Sequence, residues 1–228
     1  MGEYPDWLNR VAAAYDRTVG EYHQGIDPLD SLPDELRRSD AVAALLEDAA
    51  CCNSGAPAVR EFLDPQPGMR FLDVGCAASL VNYDLASWPS IYYGVDVSAA
   101  LIEAMQSFVA ERRISIGGLE VADLAHLPFT DQFFDLAAVI GVLEYCPFDY
   151  LTAGLVDLNR VLKPGARVVL DTPNPASAHL DSMLQLEQQL GRAEIVHSRS
   201  RIEKLLAQLF TIAAVDDSHV MLQYFLER

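Results

Sequence analysis

The sequence is short of positive charge. Sixteen Lys and Arg stand against 33 Asp and Glu, giving a formal net charge of −17 and a pI near 4.5. A surface of that sign repels phosphate backbones, which argues against a nucleic-acid partner. The one candidate basic patch, Arg192 to Lys204, is diluted by Glu194 and Glu203. Cysteine is also scarce. Cys51, Cys52, Cys76 and Cys146 form no C-x-x-C pair and have no histidine at zinc-site spacing, so no metal centre is expected and the chain reads as reduced and cytoplasmic. No apolar run reaches about 18 residues and no apolar segment follows a basic start, so neither a membrane span nor a leader is expected. No G-x-x-x-x-G-K-[ST] loop and no G-x-S-x-G elbow occur, which excludes P-loop and hydrolase readings as far as motifs can. Internal repeats and low-complexity segments are absent.

What is present is a large apolar fraction, 51% of 228 residues, enough for one domain with a sizeable core and a cap. Residues 1–63 read as a helical lid. Trp7, Val11, Tyr15 and Val19 recur every four positions and share one helical face. Further helices are expected over 40–50 and 56–63, with breaks at Gly25-Ile-Asp-Pro28 and Leu32-Pro33. Pro65-Gln-Pro67-Gly68 then marks the start of a second unit, 64–228. There short apolar runs alternate with helical patterns. Strands are expected at 70–74, 91–95, 119–122, 134–140 and 167–171, and helices from Ser79 to Ala86, from Ser98 to Ala110 and from Asp149 to Val161. Strands separated by helices imply parallel pairing. Helices near 178–190 and 200–210 follow, and the closing runs 211–215 and 220–226 read as an antiparallel hairpin.

Two of these strands end in an acid. Met69-Arg-Phe-Leu-Asp73 leads into the small-residue loop Val74-Gly75-Cys-Ala77-Ala-Ser79, and Tyr93-Gly-Val-Asp96 ends the next run. The C-terminal edge of an open parallel sheet is where ligands bind, because loops and helix N-termini converge there. A small-residue loop lets a ligand approach the backbone. An ionised Asp96 can accept two hydrogen bonds from a ribose diol, and Asp123, after the third strand, can read an amino group.

These segments together resemble the class I S-adenosylmethionine-dependent methyltransferases, across roughly residues 68–172. Asp73-Val-Gly75-Cys-Ala77-Ala-Ser79 stands where that family has acid-x-Gly-x-Gly-x-Gly. Asp96 follows Asp73 by 23 positions, the family's usual reach to its ribose acid. Val121-Ala-Asp123-Leu-Ala-His-Leu-Pro-Phe129 matches the adenine segment, Phe134 to Tyr145 the fourth strand, and Leu162-Lys-Pro-Gly165 the loop before the fifth. The resemblance implies an α/β, Rossmann-like, seven-stranded and mostly parallel sheet with helices on both faces, a C-terminal antiparallel hairpin and an N-terminal helical cap. It implies S-adenosylmethionine as cofactor, held by Asp73, Gly75, Ala77, Asp96, Val97, Asp123, Leu124 and Ile140, with Tyr15 and Tyr22 from the lid. It implies methyl transfer to an oxygen or nitrogen of a small molecule, the acceptor pocket being shaped by the lid and by an insert at 173–199.

The loop departs from the family pattern at Ala77 and Ser79. That motivates the alternative of a non-catalytic binding or regulatory relative. If the departure is tolerated, Ala77 should hold a negative φ, and glycine there should slightly destabilise the fold. A nicotinamide enzyme is disfavoured, because only Gly75 of a G-x-G-x-x-G pattern is present. Thr172-Pro-Asn-Pro175 follows the fifth strand, not the fourth, so it is not the Asn-Pro-Pro-Tyr motif of enzymes that methylate nucleic-acid or glutamine amino groups. No triad is evident for acid–base work. Tyr145, just past strand four, and His179 and His23 are the candidates, while His126 is expected to be structural or to face solvent.

Overall fold

The computed structural model describes the chain except residues 1–3, 28–29, 31, 50 and 193–194 and the side chains of Tyr22 and His23. Among the described residues one sheet of seven strands forms the centre, in the order β3-β2-β1-β4-β5-β7-β6. The strands are β1 (Arg70–Val74), β2 (Ile91–Asp96), β3 (Gly118–Val121), β4 (Phe134–Val139), β5 (Leu162–Pro173), β6 (Thr211–Asp216) and β7 (Met221–Glu227). The first five are parallel, and β7 enters between β5 and β6 antiparallel to both. The order reverses between β1 and β4, and the crevice above that reversal is where such sheets bind ligands.

Each central strand is buried on both faces, as continuous runs such as Phe71-Leu-Asp-Val74 and Leu136-Ala-Ala-Val139 require. On one face, α7 (Phe148–Val161) and α9 (Arg199–Leu209) send Leu151, Leu155, Ile202 and Leu206 against Val168, Leu170 and Tyr224. On the other, α4 (Pro57–Leu63) and α6 (Ala99–Arg112) pack Val59, Leu63 and Ile102 against Phe71, Leu136 and Val169. The Ser98 hydroxyl caps α6 by accepting from Leu101 N–H at 3.1 Å.

The remaining helices gather at the C-terminal edge of the sheet. Helix α1 (Asp6–His23) runs alongside α6, and α2 (Asp34–Arg37) and α3 (Asp40–Ala49) follow it in the chain. A small separate core joins Leu32 and Leu45 to Met183 and Leu186 of α8 (Leu180–Gln189) and to Val220 and Met221.

Two elements differ from the sequence pattern. The helix expected from Ser79 to Ala86 is a single turn, α5 (Ser79–Asn82), followed by a 3₁₀ turn at Leu85–Ser87. Asp84, at φ +49, breaks it, a left-handed conformation that Asp tolerates better than most residues. Strand β5 starts at Leu162 instead of Arg167. Leu162 pairs with Phe134, and the Lys163-Pro-Gly165 segment bulges out before Arg167 meets Leu136. Gly165 N–H is satisfied by Arg228 C=O at 2.8 Å, so the proline and glycine interrupt the ladder without ending the strand.

Candidate functional site

A cleft opens over the C-terminal ends of β1, β2 and β4, where an open α/β sheet binds its ligands. Its floor begins with the loop after β1. Gly75 and Cys76 donate their N–H groups to Val95 C=O at 2.9 and 3.0 Å, which ties the loop to β2. Gly75 has φ +69, and a Cβ there would lie 2.3 Å from Val142 Cγ2, so conformation and space both demand glycine.

Ala77 corrects the expectation of a negative φ. Its φ is +38, in the left-handed region, where an L side chain is strained. The reason lies next door: this conformation aims the Ala77 N–H at Asp96 Oδ2, 2.9 Å away. Asp96 Oδ1 accepts from Ser98 N–H at 2.8 Å. The carboxylate thus joins the β1 loop to the start of α6 and still has acceptor capacity, since an ionised carboxylate offers about four lone-pair sites. Burial raises its pKa, and the amides of Ser98, Ala77 and Val97 work against that rise.

At one end of the cleft stand Asp123, Leu124 and Val97. Asp123 Oδ1 receives the Ala125 N–H at 2.8 Å and the Tyr150 hydroxyl at 2.5 Å. Burial and this hydrogen bond to Asp123 raise the Tyr150 pKa. Trp7 of α1 packs edge-on against Tyr150, ring centroids 4.8 Å apart. Another part of the wall carries Tyr15 of α1 and Tyr145 of the turn after β4, whose hydroxyls are 3.3 Å apart. Leu8 and Val11 line the cleft between them, so one face of α1 roofs its length. Asp16, on the next position of α1, accepts from the Ser98 hydroxyl at 2.5 Å and from Ala100 N–H at 3.3 Å. It thereby fastens α1 to the positive N-terminus of α6.

The structure therefore brings together Gly75, Ala77, Asp96, Val97, Asp123, Leu124, Tyr15 and Tyr145 in one cleft. Asp73 does not line it. That carboxyl lies beneath the loop, 1% exposed, and accepts from the Ser54 hydroxyl at 3.0 Å and the Tyr92 hydroxyl at 2.9 Å. Burial pushes its pKa up to about 7. Asp73 supports the loop from below. Ile140 is also outside the lining and packs into the core on the α4 and α6 side. His179 precedes α8 as its N-cap residue, away from the cleft. The side chains of Tyr22 and His23 lie outside those described. His126 is exposed, with Nδ1 3.0 Å from Asp123. Sequence reasoning missed Leu8, Val142, Cys146 and Tyr150 as lining residues, and it found the α1 face without its destination. Among the described residues no group of His, Cys, Asp and Glu is arranged to hold a metal, and no helix is long and apolar enough to cross a membrane.

The open α/β sheet carries acids after β2 and β3 and a tight glycine loop after β1, at the edge where such sheets bind ligands. Residues 72–170 match the family described as "Methyltransferase domain". The sterol 4-C-methyltransferase of Caenorhabditis elegans is 28% identical over 153 residues, 64% of this chain and 45% of that protein. Methyltransferase GfsG of Streptomyces halstedii is 32% identical over 176 residues, 75% of this chain and 56% of that protein. The fold is also that of geranyl diphosphate C-methyltransferase from Streptomyces coelicolor, solved with S-adenosyl-L-homocysteine. There the TM-score is 0.60 at 16% identity, covering 86% of this chain and 85% of that one. Through residues 72–170 the chain is similar to the class I S-adenosylmethionine-dependent methyltransferases. It spans about half the length of the relatives it matches in sequence.

The residues of the cleft fit that cofactor. Asp96 is a buried carboxylate with acceptor capacity beyond its two amide partners, which suits a diol. The acids Asp96 and Asp123 suit a cationic ligand, and the walls between them are apolar.

Proposed function

We propose that this chain transfers the methyl group of S-adenosylmethionine to an oxygen or nitrogen of a small, largely apolar molecule. One observation carries the reading: Asp96, Asp123, the Gly75 loop and the Tyr15–Tyr145 pair line a single cleft under α1. In this reading Asp96 accepts from the ribose hydroxyls and Asp123 from the adenine amino group. Val97, Leu124 and Trp7 supply apolar contact to the base, and the Gly75–Ala77 backbone lies against the amino-acid portion. Bound there, the cofactor supplies an already activated methyl group, so the protein's task is mainly alignment and exclusion of water. Within residues 1–63, α1 acts as the lid while α4 belongs to the sheet core, and the 173–199 insert closes the acceptor side. The remainder, 64–228, is the catalytic unit.

The acceptor class follows from two features. The cleft wall is mostly apolar, and the net charge of −17 disfavours polyanions. The relative named for a sterol substrate points the same way, although it methylates carbon. The test is calorimetry with S-adenosylhomocysteine. Binding in the micromolar range is expected, and no heat at millimolar ligand would remove the reading. Release of S-adenosylhomocysteine during turnover separates an enzyme from a relative that only binds.

A further inference from the structure

A polar chain of side chains lies behind the cleft wall, and the cofactor contacts proposed above do not use it. The Tyr145 hydroxyl donates to Glu187 Oε2 at 3.0 Å. Arg192 Nη2 donates to Glu187 Oε1 at 2.9 Å, and its Nε lies 2.7 Å from Oε2. The Arg192 guanidinium also sits over the Tyr15 ring, 4.9 Å from its centroid. Glu144, buried in the turn before Tyr145, contributes negative charge to the Tyr15 and Tyr145 environments. The groups around Glu187 thus come from three places: α1 (Tyr15), the turn after β4 (Glu144, Tyr145) and the segment following α8 (Arg192).

The direction of these bonds matters. Tyr145 commits its proton to Glu187, so Tyr15 is the donor in the contact between the two phenols. The Tyr145 oxygen then accepts from Tyr15 and has its second lone pair left for a ligand at the cleft wall, beside Gly141 and Val142. It can take a hydrogen bond from a ligand O–H, and it stands one bond from a carboxylate. A clasp serving stability alone has no need of an acid here. Burying the Glu187–Arg192 pair carries a desolvation cost that apolar side chains of similar volume avoid.

We infer that Tyr145 and Glu187 form a proton relay for a hydroxyl-bearing acceptor, with Arg192 and Tyr15 holding the relay in line. This rests on the methyltransferase reading above and narrows its acceptor to an apolar body with a protic oxygen. The acceptor's O–H proton passes to the Tyr145 oxygen while the Tyr145 proton passes to Glu187. The acceptor's freed oxygen lone pair forms the bond to the methyl carbon, and the electron pair of the broken C–S bond stays on sulfur. Glu187 ends as a neutral acid and returns its proton to solvent. Tyr145 touches the acceptor; Glu187 acts through it. The relay needs Glu187 ionised, and burial holds its pKa above the usual value, so the rate should rise with pH through that raised value and then level off.

The test uses the whole chain and three probes of one shape: 2-naphthol, 2-naphthylamine and naphthalene. Calorimetry of the wild type with S-adenosylhomocysteine comes first, and failure to bind would sink the methyltransferase reading and this inference with it. On the S-adenosylhomocysteine complex, 2-naphthol should bind about tenfold more tightly than naphthalene, the size of one net hydrogen bond, and more tightly than the amine. Tyr145→Phe and Glu187→Gln should each cut that preference to about threefold or less. Glu187→Gln leaves Arg192 without its charge partner; if that variant folds poorly, Tyr145→Phe keeps the ion pair and carries the test. With S-adenosylmethionine, methyl transfer to 2-naphthol should lose its rising pH limb in Glu187→Gln and regain part of it in Glu187→Asp. Equal binding of naphthol and naphthalene, a preference for the amine, no probe binding, or a preference that survives both variants would overturn the relay while leaving cofactor binding intact.

Discussion

The two walls of the cleft are built by different means. The sheet-side wall is held by backbone. Asp96 is fixed by the amides of Ala77 and Ser98, and Gly75 and Cys76 hang from Val95 C=O. The cap-side wall is held by side chains reaching across long sequence separations, Tyr15 to Tyr145 and Tyr145 to Glu187. Backbone anchoring fixes position to within a strand register and tolerates variation in most side chains. Side-chain anchoring depends on a few particular residues and can be changed without disturbing the sheet. A family that keeps one cofactor and varies its acceptor needs that division.

The largest expected effect lies on the sheet side. Asp96→Ala removes a charged acceptor from the proposed ribose contact and orphans two amides, so S-adenosylhomocysteine should bind about 2–3 kcal/mol more weakly, roughly 30–150-fold. Calorimetry would read this directly, and an unchanged affinity would mean that Asp96 serves the loop alone. On the cap side, Trp7→Ala should weaken binding by about tenfold, because a half-buried aromatic contact contributes on the order of 1–1.5 kcal/mol. Trp7 also offers an optical check. The other tryptophan, Trp88, is stacked on Phe71 within the core, so a ligand-dependent change in emission should vanish in Trp7→Ala.

The third prediction concerns the support beneath the loop. Asp73 has its pKa raised from 3.8 to about 7, so the folded state holds its proton more tightly than the unfolded chain. Its stabilising contribution is complete below the unfolded value and is lost as pH rises through about 7. Asp73→Asn titrates nowhere, so its melting temperature should gain steadily on the wild type as pH rises from about 4 to about 7 and then stop gaining. A constant difference across that range would show that the acid is ionised in the folded protein throughout. The smallest effect is at Ala77. Relief of a left-handed φ outweighs the greater unfolded-state freedom of glycine, so Ala77→Gly should raise stability by about 0.5–1 kcal/mol in chemical unfolding. Affinity should stay within about threefold. A tenfold gain would show that the native loop is impaired and would favour the non-catalytic alternative.

How much of this was legible in the sequence follows the same division. Asp96 and Asp123 could be read because each ends a short apolar run at the edge where a parallel sheet binds. Seven strands and the closing hairpin followed from alternating runs and turn residues. The positive φ of Ala77 had a signal that pointed the right way, since its position is one where glycine is usual. Glu187 and Arg192 had none. They look like solvent-facing residues at the end of an amphipathic helix, and their partner Tyr145 is 42 positions away from Glu187. Trp7 announced a face through its spacing to Val11 and Tyr15 but not what the face would cover. Asp73 misled for a physical reason: an acid at a strand end can turn inward and find hydroxyl partners, and Ser54 lies in a segment with no motif of its own.

Helix α1 has one more consequence. From Trp7 to Tyr15 it runs eight residue steps, or about 12 Å, along the roof of the cleft, and Asp16 bolts it to α6. Anything the size of a nucleoside must pass this beam on the way in and again on the way out. Exchange is then paced by the lifting of the helix and not by diffusion. In a stopped-flow trace the observed rate should level off as ligand concentration rises, at the opening rate of α1. Spent cofactor would leave by the same route, so a substitution that loosens Asp16 from Ser98 should raise the plateau of that trace.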